Sequence, residues 1–168
     1  MAEPAAFSET QRFQQWHRWI ILAFPPAALL FMTVRQVIFH RPWGSPPRSN
    51  GSLIFLTVLL VAVYVRLITV KLVTRLRRAE VAVGMGGLWK LRRIPLEQVR
   101  AAEALTYNAI LDFGGYGIRS GKRGRAYIAR GNRAVELALS DGQRIFIGSQ
   151  DPDLLVRKIM EARQQVRV

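Results

Sequence analysis

Apolar residues crowd into two long runs in the first half of the chain, and from Ala79 onward they alternate with polar ones. The runs are Trp19 to Phe39, WIILAFPPAALLFMTVRQVIF, and Leu53 to Val73, LIFLTVLLVAVYVRLITVKLV. As helices rising about 1.5 Å per residue, each spans roughly 30 Å, the hydrocarbon thickness of a bilayer. That length and apolarity fit membrane spans better than buried helices of a soluble bundle. The first run is no secretory signal: it is too long, follows a polar stretch and lacks a small-residue cleavage site. Pro25-Pro26 removes two backbone donors and predicts a kink. Alternatively, Phe7 to Phe24 lies partly in the interface as an amphipathic helix anchored by Trp16 and Trp19. Each run holds one arginine, Arg35 and Arg66, placed near a membrane surface where its long side chain can snorkel.

The alternating half predicts a small antiparallel sheet or barrel with turns about every ten residues. Gly131-Asn132 reads as a two-residue hairpin turn setting Ile128 opposite Val135 and Ala126 opposite Leu137, with Tyr127 and Glu136 on the other face. At Asp141-Gly142 a three-residue loop, Ser140 to Gly142, pairs Leu137 with Ile145 and Val135 with Ile147. A one-residue slip would turn the apolar side chains outward. The resulting core face is Ile128, Val135, Leu137, Leu139, Ile145 and Ile147. A terminal helix follows, with Asp151 as N-cap, Pro152 at its first position and Leu155, Ile159, Ala162 and Val166 along one stripe.

Charge adds orientation. The 168 residues carry a formal net charge of +14, with a pI near 11.5 and no cysteine. The loop between the runs holds Arg41 and Arg48. The opposite flanks hold Arg12, Arg18, Lys71, Arg75, Arg77 and Arg78, which places both termini in the cytoplasm by the positive-inside rule. The expected organisation is a cytoplasmic or interfacial segment 1–18, spans 19–39 and 53–73 around an extracytoplasmic loop 40–52, and a cytoplasmic domain 75–168. That domain holds eighteen Lys and Arg against nine Asp and Glu.

The segments IPLEQV, GGYGIR, AYIARGNRAVEL and DGQRIFIGSQDPDLL are similar to the bacterial pleckstrin-homology-like domains attached to two transmembrane helices. The likeness covers the layout of the whole chain and is most specific from Gly114 to Leu155. Tyr116 stands where that pattern commonly has Trp, and Ala134 where it has Gly. The resemblance implies a partly open seven-stranded barrel capped by a C-terminal helix, in a multi-pass protein of the bacterial inner membrane. It implies no particular activity. The expected fold class is therefore an α+β membrane protein: a two-helix transmembrane hairpin followed by a small PH-like antiparallel β-barrel with its C-terminal helix.

DFGGYGIRSGKRGRAYIARGN, Asp112 to Asn132, places six glycines among Arg119, Lys122, Arg123, Arg125 and Arg130. A P-loop needs four residues between its glycines and Ser or Thr after the Lys; here there are five, and Arg follows. A dinucleotide fingerprint fails at Ser120, and strands rather than a helix are expected next. Tight turns are the plainer reading. The sharper one is an anionic-ligand loop of Arg119, Lys122, Arg123 and Arg125. A second cationic set, Lys71, Arg75, Arg77, Arg78, Lys90, Arg92 and Arg93, either fixes orientation or contacts an anionic membrane surface.

Catalysis is not expected. His17 and His40 flank the first run, and neither His nor Cys follows His40, so the usual general base and metal ligands are missing from the domain. Asp112, Asp141 and Asp151 read as turn and cap residues. No cofactor or metal is expected. Nucleic acid is disfavoured, since no platform of alternating aromatics and cations is evident. The expected partners are the bilayer, a protein at the barrel edge or C-terminal helix, and a second copy through the spans. The expected role is a non-enzymatic binding or scaffolding module. The alternatives are a structural subunit assembling through its helices and, least favoured, an enzyme.

Overall fold

The computed structural model describes residues 6–13, 16–42, 44, 46, 48–87, 90–121 and 123–166. It divides into two compact units: residues 15–69, and a second unit built from residues 1–14 with 70–168.

The first unit is a helical hairpin of α1, Trp16–Val37, and α2, Asn50–Ile68. α1 runs unbroken through Pro25 and Pro26. Both helices are long and apolar enough to cross a membrane, with mean hydropathy 1.7 over Trp19–Val37 and 2.3 over Asn50–Ile68. Thr33, Gln36 and Thr57 turn inward. The Thr33 and Thr57 hydroxyls share a hydrogen bond of 2.7 Å, and Tyr64 Oη donates to the Trp19 carbonyl at 3.2 Å. The Gln36 amide closes the loop end, donating to the Arg48 carbonyl at 2.6 Å and to Asn50 Oδ1 at 2.8 Å. Ile20, Ile21, Phe24, Phe31, Phe55 and Val58 stay exposed. That division, with polar groups paired inside the hairpin and apolar ones outside, is compatible with a bilayer core, where no water satisfies polar groups. Arg35 and Arg66 lie in the last turns of α1 and α2, where a cation complements the helix dipole.

The second unit is α+β. One sheet has the order β1-β2-β3-β4, from Phe7–Arg12, Lys71–Leu76, Glu80–Gly86 and Arg92–Pro95. The other has the order β5-β8-β9-β7-β6, from Val99–Thr106, Gly117–Gly121, Gly124–Ile128, Arg133–Leu139 and Arg144–Gly148, numbered in chain order. A short helix α3, Ala109–Phe113, follows β5, and α4, Pro152–Val166, ends the unit. The inner faces of both sheets and the α4 stripe Leu155, Ile159 and Ala162 form one core with Leu72, Leu76, Val81, Val83, Val135, Leu137, Ile145 and Ile147. A smaller cluster of Tyr107, Phe113, Ala126, Ile128 and Phe146 covers the other face of the second sheet.

Four expectations change. The sheets do not close into a barrel. Where closure would need a backbone ladder, β1 reaches the end of β9 through side chains: Gln11 Nε2 donates to the Gly148 carbonyl at 2.8 Å, and the Glu9 carboxylate accepts from Ser149 Oγ at 2.6 Å and Gln150 N at 2.8 Å. Residues 7–12 form a strand of the second unit rather than an interfacial helix. They pair with β2 from Phe7↔Leu76 to Arg12↔Lys71, so residues 7–12 belong to this sheet. The second apolar helix ends at Ile68, and Lys71 to Val73 already alternate in β2; their Leu72 side chain is 1 % exposed in the sheet core. Last, the strands flanking Gly131-Asn132 are not neighbours, because β9 runs between them, parallel to β7 and antiparallel to β8. Parallel pairing sets Tyr127 beside Ile147 and into the main core, while Ile128 packs in the smaller cluster. The expected Val135–Ile147 and Leu137–Ile145 pairs are present, and Gly142 takes the left-handed position at φ 82°.

Candidate functional site: two basic surfaces

The first surface grows from the period-two alternation of β2. Leu72, Thr74 and Leu76 face the core, so Lys71, Val73 and Arg75 face outward, and Arg77 continues the row past the strand end. Arg12 lies beside Lys71 on β1, and Arg75 is in register with Ala82, itself beside Arg93. Arg75, Arg77, Lys90 and Arg93 line a shallow hollow of about 520 Å³ with Glu80, Ala82 and Leu91. The Glu80 carboxylate lies 4.0 Å from Arg77 and 3.7 Å from Arg93. One carboxylate among four cations leaves the hollow positive. Of the expected membrane-surface set, Arg75, Arg77, Lys90 and Arg93 meet here, Lys71 sits at the strand start, and Arg78 is exposed in the β2–β3 turn. Arg92 departs from the set, since in register with Val83 it points to the opposite side of the sheet. Arg12 was missed. Its signal is faint, because it gains meaning only once β1 pairs with β2.

The second surface is a cleft of about 720 Å³ lined by Arg92, Ser120, Gly121, Arg123, Gly124, Arg125, Gly142, Gln143 and Arg144. Two turns meet there. The β6–β7 hairpin is closed by Gly121↔Gly124, and the β8–β9 loop ends at Gly142. Gly124 makes the approach possible: its φ is 131°, and a Cβ there would overlap the Arg144 carbonyl. Arg92 Nη2 donates to Gln143 Oε1 at 3.0 Å across the gap between the sheets. Arg123 pairs with Asp112 at 3.1 Å and lies over the Phe146 ring at 5.4 Å. Arg144 pairs with Glu136 at 3.1 Å.

Of the expected anionic-ligand loop, Arg123 and Arg125 line this cleft. Arg119 does not; its Nε donates to the Tyr116 carbonyl at 3.1 Å. Lys122 lies outside the described residues. Arg92 and Arg144 come from distant parts of the chain and carried no local signal. The glycine-rich stretch is turn and strand, as the absence of a following helix required.

The carboxylates take structural roles. Asp112 Oδ2 accepts from Asn108 N at 2.8 Å while Asn108 Oδ1 caps α3. Asp141 Oδ1 accepts from Gln143 N at 2.9 Å, and Asp151 Oδ1 caps α4 through Leu154 N at 3.0 Å. Burial, with the nearby Tyr116 phenol adding to it, pushes the Tyr107 hydroxyl well above the usual tyrosine range. Among the described residues no group of three His, Cys, Asp or Glu is placed to hold a metal ion. No protein-family model matches the chain, and no curated protein matches it.

Proposed function

We propose that this chain is a two-span membrane protein whose β-rich unit is a PH-like, non-enzymatic docking module, and that the outer face of sheet β1–β4 rests on an anionic membrane surface. The observation that carries this reading is the row Arg12, Lys71, Arg75, Arg77 and Arg93 on one sheet face. Chain continuity supports it. Three residues separate Arg12 from α1 and two separate Lys71 from α2, so a bilayer holding the helices is within reach of both strand ends. Each cation near an anionic leaflet contributes about 1 kcal/mol, so five add substantially at low salt and less at high salt. Two sheets over one core with a C-terminal helix agree with a PH-like module. The cation balance of the flanks favours a cytoplasmic placement, and the resemblance to bacterial PH-like membrane proteins suggests the inner membrane of a bacterium.

The chain has no cysteine, so single-cysteine labelling is clean. Thr10→Cys places an environment-sensitive fluorophore on the outer face, opposite Val73, and Gln164→Cys places one on the exposed side of α4. In full-length protein in nanodiscs, replacing part of the phosphatidylcholine with phosphatidylglycerol blue-shifts the Thr10 probe and leaves the Gln164 probe unchanged. Emission at Thr10 that ignores the anionic lipid rejects the reading.

A further inference from the structure

The cleft between the β6–β7 and β8–β9 turns is separate from the outer sheet face and has a different character. Among the described residues its lining contains four arginines and no carboxylate. Asp112 and Glu136 balance Arg123 and Arg144. Arg92 donates to a neutral amide, and among the described residues the Arg125 side chain has no hydrogen bond or ion pair. Two guanidinium charges are thus left uncompensated beside the Ser120 hydroxyl and the Gln143 side chain.

Folding maintains this concentration of like charge. Gly124 draws the start of β7 against the Arg144 carbonyl, which holds the two turns side by side. Like charges so gathered repel one another unless an anion joins them. Guanidinium forks match the oxygens of a phosphate group in geometry and charge. A volume of about 720 Å³ suits a small molecule rather than a single inorganic ion. Among the described residues the lining holds no aromatic ring on which a base of single-stranded nucleic acid would stack.

We propose that this cleft binds a small phosphate-bearing polyanion through Arg92 and Arg125, with Arg123 and Arg144 as exchangeable partners drawn from their carboxylates. The phosphate belongs either to a soluble metabolite or to a lipid headgroup.

Calorimetric titration of inorganic triphosphate into full-length protein in neutral phosphatidylcholine nanodiscs tests this. The native chain shows saturable one-site binding. Arg125→Gln and Arg92→Gln each weaken it roughly tenfold or more, as loss of a charge-assisted hydrogen bond implies. Arg157→Gln, an equal loss of charge on the exposed side of α4, leaves it within about twofold. Circular dichroism spectra that match the native chain establish that the variants are folded. Absence of saturable binding, or equal weakening by all three substitutions, overturns the proposal. Repeating the titration in nanodiscs containing phosphatidylglycerol separates the sources. Competition identifies a headgroup ligand, and an unchanged affinity identifies a soluble one. Neutral lipid in the main arm keeps this outcome independent of membrane docking by the outer sheet face.

Discussion

Replacing Glu9 by alanine tests whether the strand preceding α1 belongs to the β-rich unit. The Glu9 carboxylate accepts three hydrogen bonds: from Gln11 Nε2 at 2.8 Å, Ser149 Oγ at 2.6 Å and Gln150 N at 2.8 Å. Two of these join β1 to the entry of α4, about 140 residues away in sequence. A hydrogen bond to a charged group contributes about 1.5–3 kcal/mol. Glu9 is half-buried, so water replaces part of what is lost, and bonds sharing one carboxylate do not add fully. Glu9→Ala should therefore cost about 2–4 kcal/mol, with the O–H donor of buried Ser149 among the groups left unpaired. For a unit of roughly a hundred residues, that lowers Tm by about 8–16 °C. Ser8→Ala, on the exposed opposite face of the same strand, should stay within about 0.5 kcal/mol. Thermal melts of full-length protein in neutral nanodiscs, followed by near-ultraviolet circular dichroism, measure both. A Glu9→Ala melt equal to that of Ser8→Ala would mean that β1 does not dock on the β9–α4 corner, and the assignment of residues 7–12 to this unit would fall.

Two further predictions follow from local geometry. Gly124→Ala should cost at least about 2 kcal/mol, combining a glycine-only backbone region with overlap of the Arg144 carbonyl; Gly131→Ala, at φ 72° with open space around its Cβ, should cost about half as much in parallel denaturant titrations. Similar losses at the two sites would remove Gly124 as the element that clamps the turns. Because the folded state raises the Tyr107 phenol, its contribution is fully present below the unfolded value near 10 and disappears as pH climbs through the higher folded value. The difference between ultraviolet titrations of the native chain and Tyr107→Phe should be a phenol that ionises well above pH 10; a difference transition near pH 10 would refute the burial argument.

The two apolar helices were legible because length and hydropathy act locally and need no tertiary context. The β8–β9 register was equally legible, since a single slip would expose Ile145 and Ile147. The boundary at Lys71 was misread because Leu72, Val73 and Leu76 extend the apolar run. The alternation Lys71, Val73, Arg75 already carried the strand period, but over too few residues to outweigh that run. The Gly131-Asn132 hairpin failed for another reason. Turn chemistry specifies a reversal, not which strand lies alongside. The unbroken apolar run Ile145-Phe146-Ile147 was the contrary signal, because a strand buried on both faces belongs in the middle of a sheet. Of the cleft, Arg123 and Arg125 were visible as cations within a glycine-rich turn. Arg92 and Arg144 reach it only through sheet packing, which no local pattern encodes.

Membrane docking by the outer sheet face is tested most directly on the native chain through its lysines. Lys71 and Lys90 belong to the proposed contact surface, whereas Lys158 lies on α4 beside Glu161. Acetylation by a water-soluble reagent, read by mass spectrometry, should slow several-fold at Lys71 and Lys90 relative to Lys158 when phosphatidylglycerol is added to phosphatidylcholine nanodiscs, and recover in high salt. Ratios among the three lysines that are the same in neutral and anionic bilayers would contradict it.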